Sequence, residues 1–391
     1  MLENIADEVK ACRHLLHRNP QTSYEETFAQ QLICKKLKEW GIDYETGIAV
    51  TGTIATIKGR TDTKGRKIGL RADIDALNIE EQSKHDHVSQ IPGKMHGCGH
   101  DGHTAMLLGA ARYLAETRNF DGTVYLIFQP AEEGGGGAHR MIDEGLFKRF
   151  PMDMVFGLHN WPSMNRGKIG LRSGTMMAAV DEITVTIKGK GGHAAYPHRC
   201  ADPIVAGAGL VQAIQSIVSR RINPVDSAVI SVTNFNAGTG SANVIPDTAT
   251  IQASIRTLTP ETREFVKQSL REIVESTTKA YGVGYDFHYR EGTDPTINTP
   301  DETLLCMKVA RAVVGNENVD NHISVSMGGE DFGAMLQIVP GCYIRLGQGE
   351  DEAGSPHNEG LHASNYDFND RVIPIGIQYW AKLVETALPI E

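Results

Sequence analysis

No run in this 391-residue chain stays apolar long enough to span a bilayer, so a transmembrane anchor is not expected. The opening stretch from Met1 to Glu8 lacks the basic-then-apolar order of a secretory leader, and a cytoplasmic site is the default expectation. Positive charge is in deficit: 38 Lys and Arg against 48 Asp and Glu leave a formal charge of −10. Nucleic acid and anionic membranes both call for a basic face, so neither is expected as a partner. Cysteine is sparse. Six of them (Cys12, Cys34, Cys98, Cys200, Cys306 and Cys342) scatter through a long chain, which suits reduced thiols better than a disulfide framework. Nucleotide signatures are missing as well. The glycine run 134–137 has no Lys-Ser/Thr behind it, and no G-x-G-x-x-G turn leads from an apolar strand into a helix. There is also no H-E-x-x-H helix and no paired Cys-x-x-Cys.

The residues that are present obey two kinds of folding grammar. Ile5, Val9, Cys12 and Leu16 fall at helical spacing, stopped by Pro20. Ser23 and Glu26 have the spacing of a capping box for a second helix ended by Gly41. Short apolar runs at 53–57, 68–70, 124–128 and 154–158, with a helical stretch near 103–114, predict a mostly parallel sheet covered by helices. From Glu182 the order becomes β-α-β-β-α-β, a split βαβ unit. After Gly292 the α/β grammar resumes, with a helix near 303–314, strands at 323–325 and 342–346, and a last helix from about Arg371. The expected fold is therefore a mostly parallel α/β domain in two parts, 1–180 and 292–391, interrupted by a ferredoxin-like α+β domain over 181–291.

Candidate chemistry concentrates in four segments. The densest is His96-Gly-Cys98-Gly-His100-Asp101-Gly-His103, whose side chains are those that bind zinc-like ions and whose glycines let backbone wrap closely. Gln129-Pro-Ala-Glu132-Glu133-Gly comes directly after an apolar run. Successive side chains on an irregular turn point apart, which suits one carboxylate binding metal and the other handling protons; the plain alternative is a solvated acidic turn. His159 ends a third apolar run, as Asp73 and Asp75 follow another. Ligands gather outside the carboxyl ends of strands in open α/β sheets, so three strand ends offering metal-type side chains to one rim outweigh the reading of a lone structural histidine. Near the end of the chain, His357 or His362 would complete such a site, and spacing does not choose between them. His14, His17, His85, His87, His288 and His322 are expected to be surface or structural residues.

These motifs resemble the aminoacylase, hippurate hydrolase and auxin-conjugate hydrolase group of two-metal amidohydrolases, related to zinc carboxypeptidases with an inserted dimerisation domain. The resemblance rests on Arg71-Ala-Asp73-Ile-Asp75, the Cys98 cluster, Gln129-Pro-Ala-Glu-Glu-Gly, Gly157-Leu-His-Asn, Gly191-Gly-His193-Ala-Ala, Gly328-Gly-Glu330-Asp331-Phe332, and Leu361-His362 ahead of Phe368-Asn-Asp. It implies Cys98, His100, Glu133, His159 and His362 as ligands of two divalent ions (zinc, manganese, cobalt or nickel), with Glu132 as catalytic base. His362 is preferred to His357 because the segment after it matches the family. The resemblance further implies that His193 reaches a neighbouring subunit's site in a homo-oligomer, and that Asn243 and Arg256 bind substrate. Where broader relatives carry a metal-binding histidine, this chain has Arg71, which makes Asp73 a support for the ligands rather than one of them. The implied reaction is hydrolysis of small N-acyl amino acids by a metal-activated water. The alternatives are a carboxypeptidase or dipeptidase with the same machinery, or a non-catalytic metal-binding scaffold.

Overall fold

A computed structural model describes residues 1–352 and 354–390. The chain divides into two compact units: 1–176, 297–324 and 331–391 form the first, and 177–296 with 325–330 the second. The short return segment 325–330 has no linear signature, so a reading by sequence order leaves it with the catalytic part.

In the first unit an eight-stranded sheet runs β1 (Asp43–Ile48), β2 (Gly52–Lys58), β4 (Thr123–Gln129), β3 (Lys67–Asp73), β5 (Met154–Asn165), β8 (Gly341–Gly349), β6 (Ile169–Gly170) and β7 (Val319–Asp320). The four central strands β4, β3, β5 and β8 are mutually parallel, and antiparallel strands finish the sheet on one side. Parallel strands are covered on both faces, and accordingly β4 and β8 are buried along their whole lengths. The expected strand at 323–325 does not form, and the pairing strand is Val319–Asp320 instead.

Helix α1 (Leu2–Arg18) buries Ile5, Val9, Cys12 and Leu16 as their spacing predicts, each large apolar side chain contributing about 1.5–3 kcal/mol. Helix α3 (His100–Thr117) is buried over most of its circumference and begins at His100, three residues before the expected start. Helix α2 (Thr27–Glu39) has no side-chain cap, which corrects the capping-box expectation. Ser23 Oγ donates to Asp75 instead, and Glu26 turns inward to accept from Thr51 Oγ1.

The second unit is a four-stranded antiparallel sheet in the order Ala228–Ala237, Thr248–Thr257, Ala179–Lys188, Gly284–Thr293. Ile183, Val185 and Ile187 alternate inward to a core shared with Leu210, Leu270 and Val274 from two helices, Pro203–Ser216 and Pro260–Ala280. Both helices are capped by the residue before their proline: Asp202 accepts from the Ile204 and Val205 N–H groups, and Thr259 from the Thr262 N–H. Among the described residues no helix is long and apolar enough to cross a membrane.

Candidate metal centre

The parallel pairing fixes where the polar strand ends go. Asp73 stands opposite Gln129, Arg71 opposite Gly157, and Arg345 opposite His159, so the ends of β3 and β4 and the middle of β5 deliver their side chains to one rim. The loop before α3 brings Cys98 there. Gly99, at φ 90°, makes this approach possible: a Cβ on it would stand 2.4 Å from Asn160 Oδ1 and 2.6 Å from the Tyr366 hydroxyl.

Two groups of potential ligand atoms include Cys98, each with all members within 4.8 Å of one another: Cys98, His100 and His159, and Cys98, Glu133 and His362; Asp73, His100 and His103 form another. Cys98 Sγ is 3.4 Å from His159 Nε2, and His362 Nε2 is 3.1 Å from Glu133 Oε1. His357, the rival for the last position, is instead turned toward the Asp367 carbonyl, 3.1 Å from its Nδ1.

The hydrogen bonds around these donors fit a bound cation. His159 Nδ1 lies 2.6 Å from the Asn160 carbonyl, and His100 Nδ1 lies 3.0 Å from the Asp75 carbonyl, so each ring is anchored through Nδ1 and turns Nε2 toward the rim. His100 Nε2 and Glu133 Oε1 are buried and make no hydrogen bond. Burial and the neighbouring Glu133, Glu132 and Asp73 push the Cys98 thiol well above its usual range. Burial acts to neutralise His100, yet Asp73, Asp75 and Glu133 outweigh it and raise the imidazole to about 10. His159 is held low by burial, with His103 adding to the effect. A pocket that retains a proton on sulfur and on imidazole because carboxylates surround it favours positive charge, and a divalent cation supplies that charge while turning the thiol into thiolate.

Behind the donors lies a closed polar network. Arg71 donates to Asp73 Oδ2 at 2.7 Å, to Asp331 Oδ1 at 3.1 Å and to Gln129 Oε1 at 2.9 Å, all buried. His103 Nδ1 is 2.6 Å from Asp73 Oδ1, and the Asn160 N–H donates to His103 Nε2 at 3.0 Å. Asp73 is thus gripped by Arg71 and His103, with His100 Nε2 3.7 Å away. The Glu132–Glu133 turn is set by a residue distant in sequence. Glu26 accepts from the Ala131 N–H at 2.9 Å and from Thr51 Oγ1 at 2.6 Å, holding Ala131 at φ 55°. Glu133 N–H donates to Asp75 Oδ2 at 2.9 Å, whereas Glu132 Oε1 accepts from the Asp331 N–H at 3.4 Å, so the adjacent carboxylates occupy different surroundings. Asp75 is legible in sequence from its place after an apolar strand, His103 and Asp331 only as members of motifs, and Glu26 gives no functional sign there.

His193, Asn243 and Arg256 belong to the second unit. His193 is exposed and pairs in register with Val244, and the Ala194 N–H donates to the Asn243 carbonyl at 2.9 Å, so His193 and Asn243 sit side by side. Arg256 is half-buried and donates to Ser254 Oγ and to the Met327 carbonyl, each at 3.2 Å. Of the histidines expected to be surface or structural, His17 and His87 are buried and form part of a second cluster.

Thiol, imidazole and carboxylate donors turned to one rim, beside a carboxylate in a different environment, suit hydrolysis at a metal. The class is that of the metal-dependent amidohydrolases. Residues 69–386 match the peptidase family M20/M25/M40, and the chain belongs to that family. A hippurate hydrolase from Campylobacter jejuni is 39% identical over 381 residues, covering 97% of this chain and 96% of the relative. An N-acetylcysteine deacetylase from Bacillus subtilis is 36% identical over 378 residues, 96% of each chain. A solved B. subtilis structure, described as a dinuclear metal-binding peptidase of the M20 family, superposes with a TM-score of 0.85 at 32% identity and covers 99% of both chains.

Proposed function

We propose that this enzyme hydrolyses the amide bond of N-acyl amino acids of the hippurate or N-acetyl type, with two divalent ions held by Cys98, His100, Glu133, His159 and His362. The observation that carries the reading is the membership of Cys98 in both donor groups, with Glu132 next in sequence to a residue of one of them. When bound, such ions lower the pKa of a coordinated water from about 15.7 toward 7 and polarise the scissile carbonyl. The chain supplies the proton handling. Glu132 takes the proton of the attacking water and returns it to the leaving nitrogen, while Glu133 is held apart by its own link to Asp75. Asp73 is a positioning residue that keeps His103 and Arg71 in place behind the ligands. In the second unit, His193 is assigned to the developing oxyanion of a neighbouring subunit, Arg256 to the substrate carboxylate and Asn243 to substrate binding.

The test is a hydrolysis screen over benzoyl-, acetyl- and indole-acetyl-amino acids beside a dipeptide panel, on metal-quantified protein with and without chelator. Acyl-amino acids should be cleaved, with activity lost on chelation and restored by zinc, manganese, cobalt or nickel. Cleavage confined to dipeptides, or turnover unaffected by full metal removal, would overturn the proposal.

A further inference from the structure

Helix α3 opens with two residues that serve different clusters. His100 turns to the Cys98 rim, and Asp101 turns away from it to a second group of titratable side chains. Asp101 Oδ2 is 2.8 Å from His17 Nδ1 and 2.8 Å from Arg13 Nε. The other ring nitrogen of His17, Nε2, lies 3.2 Å from Glu81 Oε1, and that same oxygen is 3.1 Å from His85 Nε2. One carboxylate oxygen therefore stands between two imidazole nitrogens. At a tetrahedral ion with bonds of about 2.0–2.2 Å, ligand atoms lie roughly 3.3–3.5 Å apart, so this spacing is close to that of a coordination shell.

Three further observations point to a cation. His17 is backed by a buried carboxylate on its far nitrogen, the arrangement that fixes the tautomer and raises the basicity of a metal-bound histidine. Glu81 is fixed from behind, its Oε2 accepting from the Ser89 N–H at 2.7 Å. His85 Nδ1 is buried and forms no hydrogen bond, while the ring stacks on His87 with centroids 3.7 Å apart and an interplanar angle of 13°.

Charge argues the same way. Arg13 is the one buried guanidinium in the cluster and faces Asp101, Asp367 and Asp370, with Glu81 beyond them. Four carboxylates against this guanidinium and Lys10, which stands 3.7 Å from Asp370, leave negative charge that protons on histidines or a bound cation must offset. The Arg13 charge is itself committed, at 2.6 Å to Asp367 Oδ1 and 2.8 Å to Asp101 Oδ2, with His87 Nε2 2.6 Å from its Nη1 and His17 Nδ1 3.4 Å from its Nη2.

We propose that His17, Glu81 and His85 form a further cation site, distinct from the Cys98 centre, for a borderline divalent ion of the zinc class. A water completes the shell, because Asp367 Oδ1, 3.7 Å from His85 Nε2, is already held by Arg13 at 2.6 Å and His87 at 3.0 Å. His85 keeps 16% of its side chain exposed, which gives an ion a way in. None of the three residues belongs to the donor groups of the Cys98 centre, so the site stands or falls independently of the proposed reaction.

The experiment compares the full chain with His85→Gln. Both are stripped of metal and titrated with zinc, and uptake per chain is read by native mass spectrometry. The unaltered protein should bind one more zinc than His85→Gln, and loading of the Cys98 centre cancels in that difference. A crystal of the unaltered, zinc-loaded protein should show an anomalous peak about 2.0–2.2 Å from His17 Nε2, Glu81 Oε1 and His85 Nε2. Equal uptake by the two proteins, or no anomalous peak between these atoms, overturns the proposal and makes the cluster a set of imidazolium–carboxylate pairs. Should His85→Gln fail to fold, the anomalous map of the unaltered protein decides alone.

Discussion

The candidate residues of the first unit are interlocked and those of the second are not. Cys98, His100 and His159 are buried, each histidine held by a backbone carbonyl, with Asp73 fixed from two sides behind them. His193 and Asn243 are exposed and owe their placement to a two-residue ladder. The first arrangement spends folding stability on holding donors that repel or strip one another of solvent; the second leaves side chains free to adjust to what they meet. Rigid donors suit an ion, whose coordination tolerates little displacement, and adjustable groups suit a substrate that must enter and leave.

The contrast is sharpest in a pair of arginines. Arg71→Met strands Asp73 and Asp331 in a buried site and should lower stability by about 3–5 kcal/mol, read by denaturant unfolding. Arg256→Met, which removes hydrogen bonds from a half-buried side chain, should cost about 1 kcal/mol and raise KM with kcat less affected. Equal destabilisation by the two would erase the distinction. Next in size, Glu132→Gln should keep its full metal content while kcat falls by about 10² or more. Near-normal turnover would take Glu132 out of the chemistry.

For the second unit, mixing His193→Ala subunits with Glu132→Gln subunits should restore part of the lost activity if His193 acts across subunits. No recovery after demonstrated subunit exchange would confine His193 to its own subunit or remove it from catalysis. The smallest effect concerns pH. Burial, aided by Arg13 and opposed by Asp367, lowers His87 from 6.5 to about 4. The unfolded chain then binds a proton between pH 6.5 and 4 that the folded chain does not, so stability falls as pH drops through that window. Relative to His87→Phe, the unaltered protein should lose a few degrees of Tm, roughly 2–4 °C, between about pH 7 and 4. A constant gap would mean that His87 titrates alike in both states.

Sequence patterns disclose the rim because buried parallel strands read as plain apolar runs, and a polar residue at the end of such a run is conspicuous. Asp73, Glu132, Glu133 and His159 are all visible this way. The capping box does not form, for a physical reason: Ser23 and Glu26 have the right spacing, but Glu26 satisfies the Ala131 N–H and Thr51, a tertiary demand that local spacing does not reveal. The start of α3 is hidden for a related cause, since Gly97, Gly99 and Gly102 disguise a helix that begins at His100. The resemblance marks Arg71 as a departure, and the network supplies its task, neutralising two carboxylates at once. The His17–Glu81–His85 group is illegible in sequence because its members share no motif and the irregular stretch carrying Glu81 and His85 meets α1 only in the folded chain.

The backbone link from the His362 N–H to the Gly97 carbonyl, 2.8 Å long, reaches across the insertion of the entire second unit. During synthesis the first four donors leave the ribosome before that unit exists, and the fifth arrives only after it. A nascent chain can therefore offer Cys98, His100, Glu133 and His159 but has no strap to close over them. Under the proposed ligand set, all five groups are present together only once the chain extends past β8.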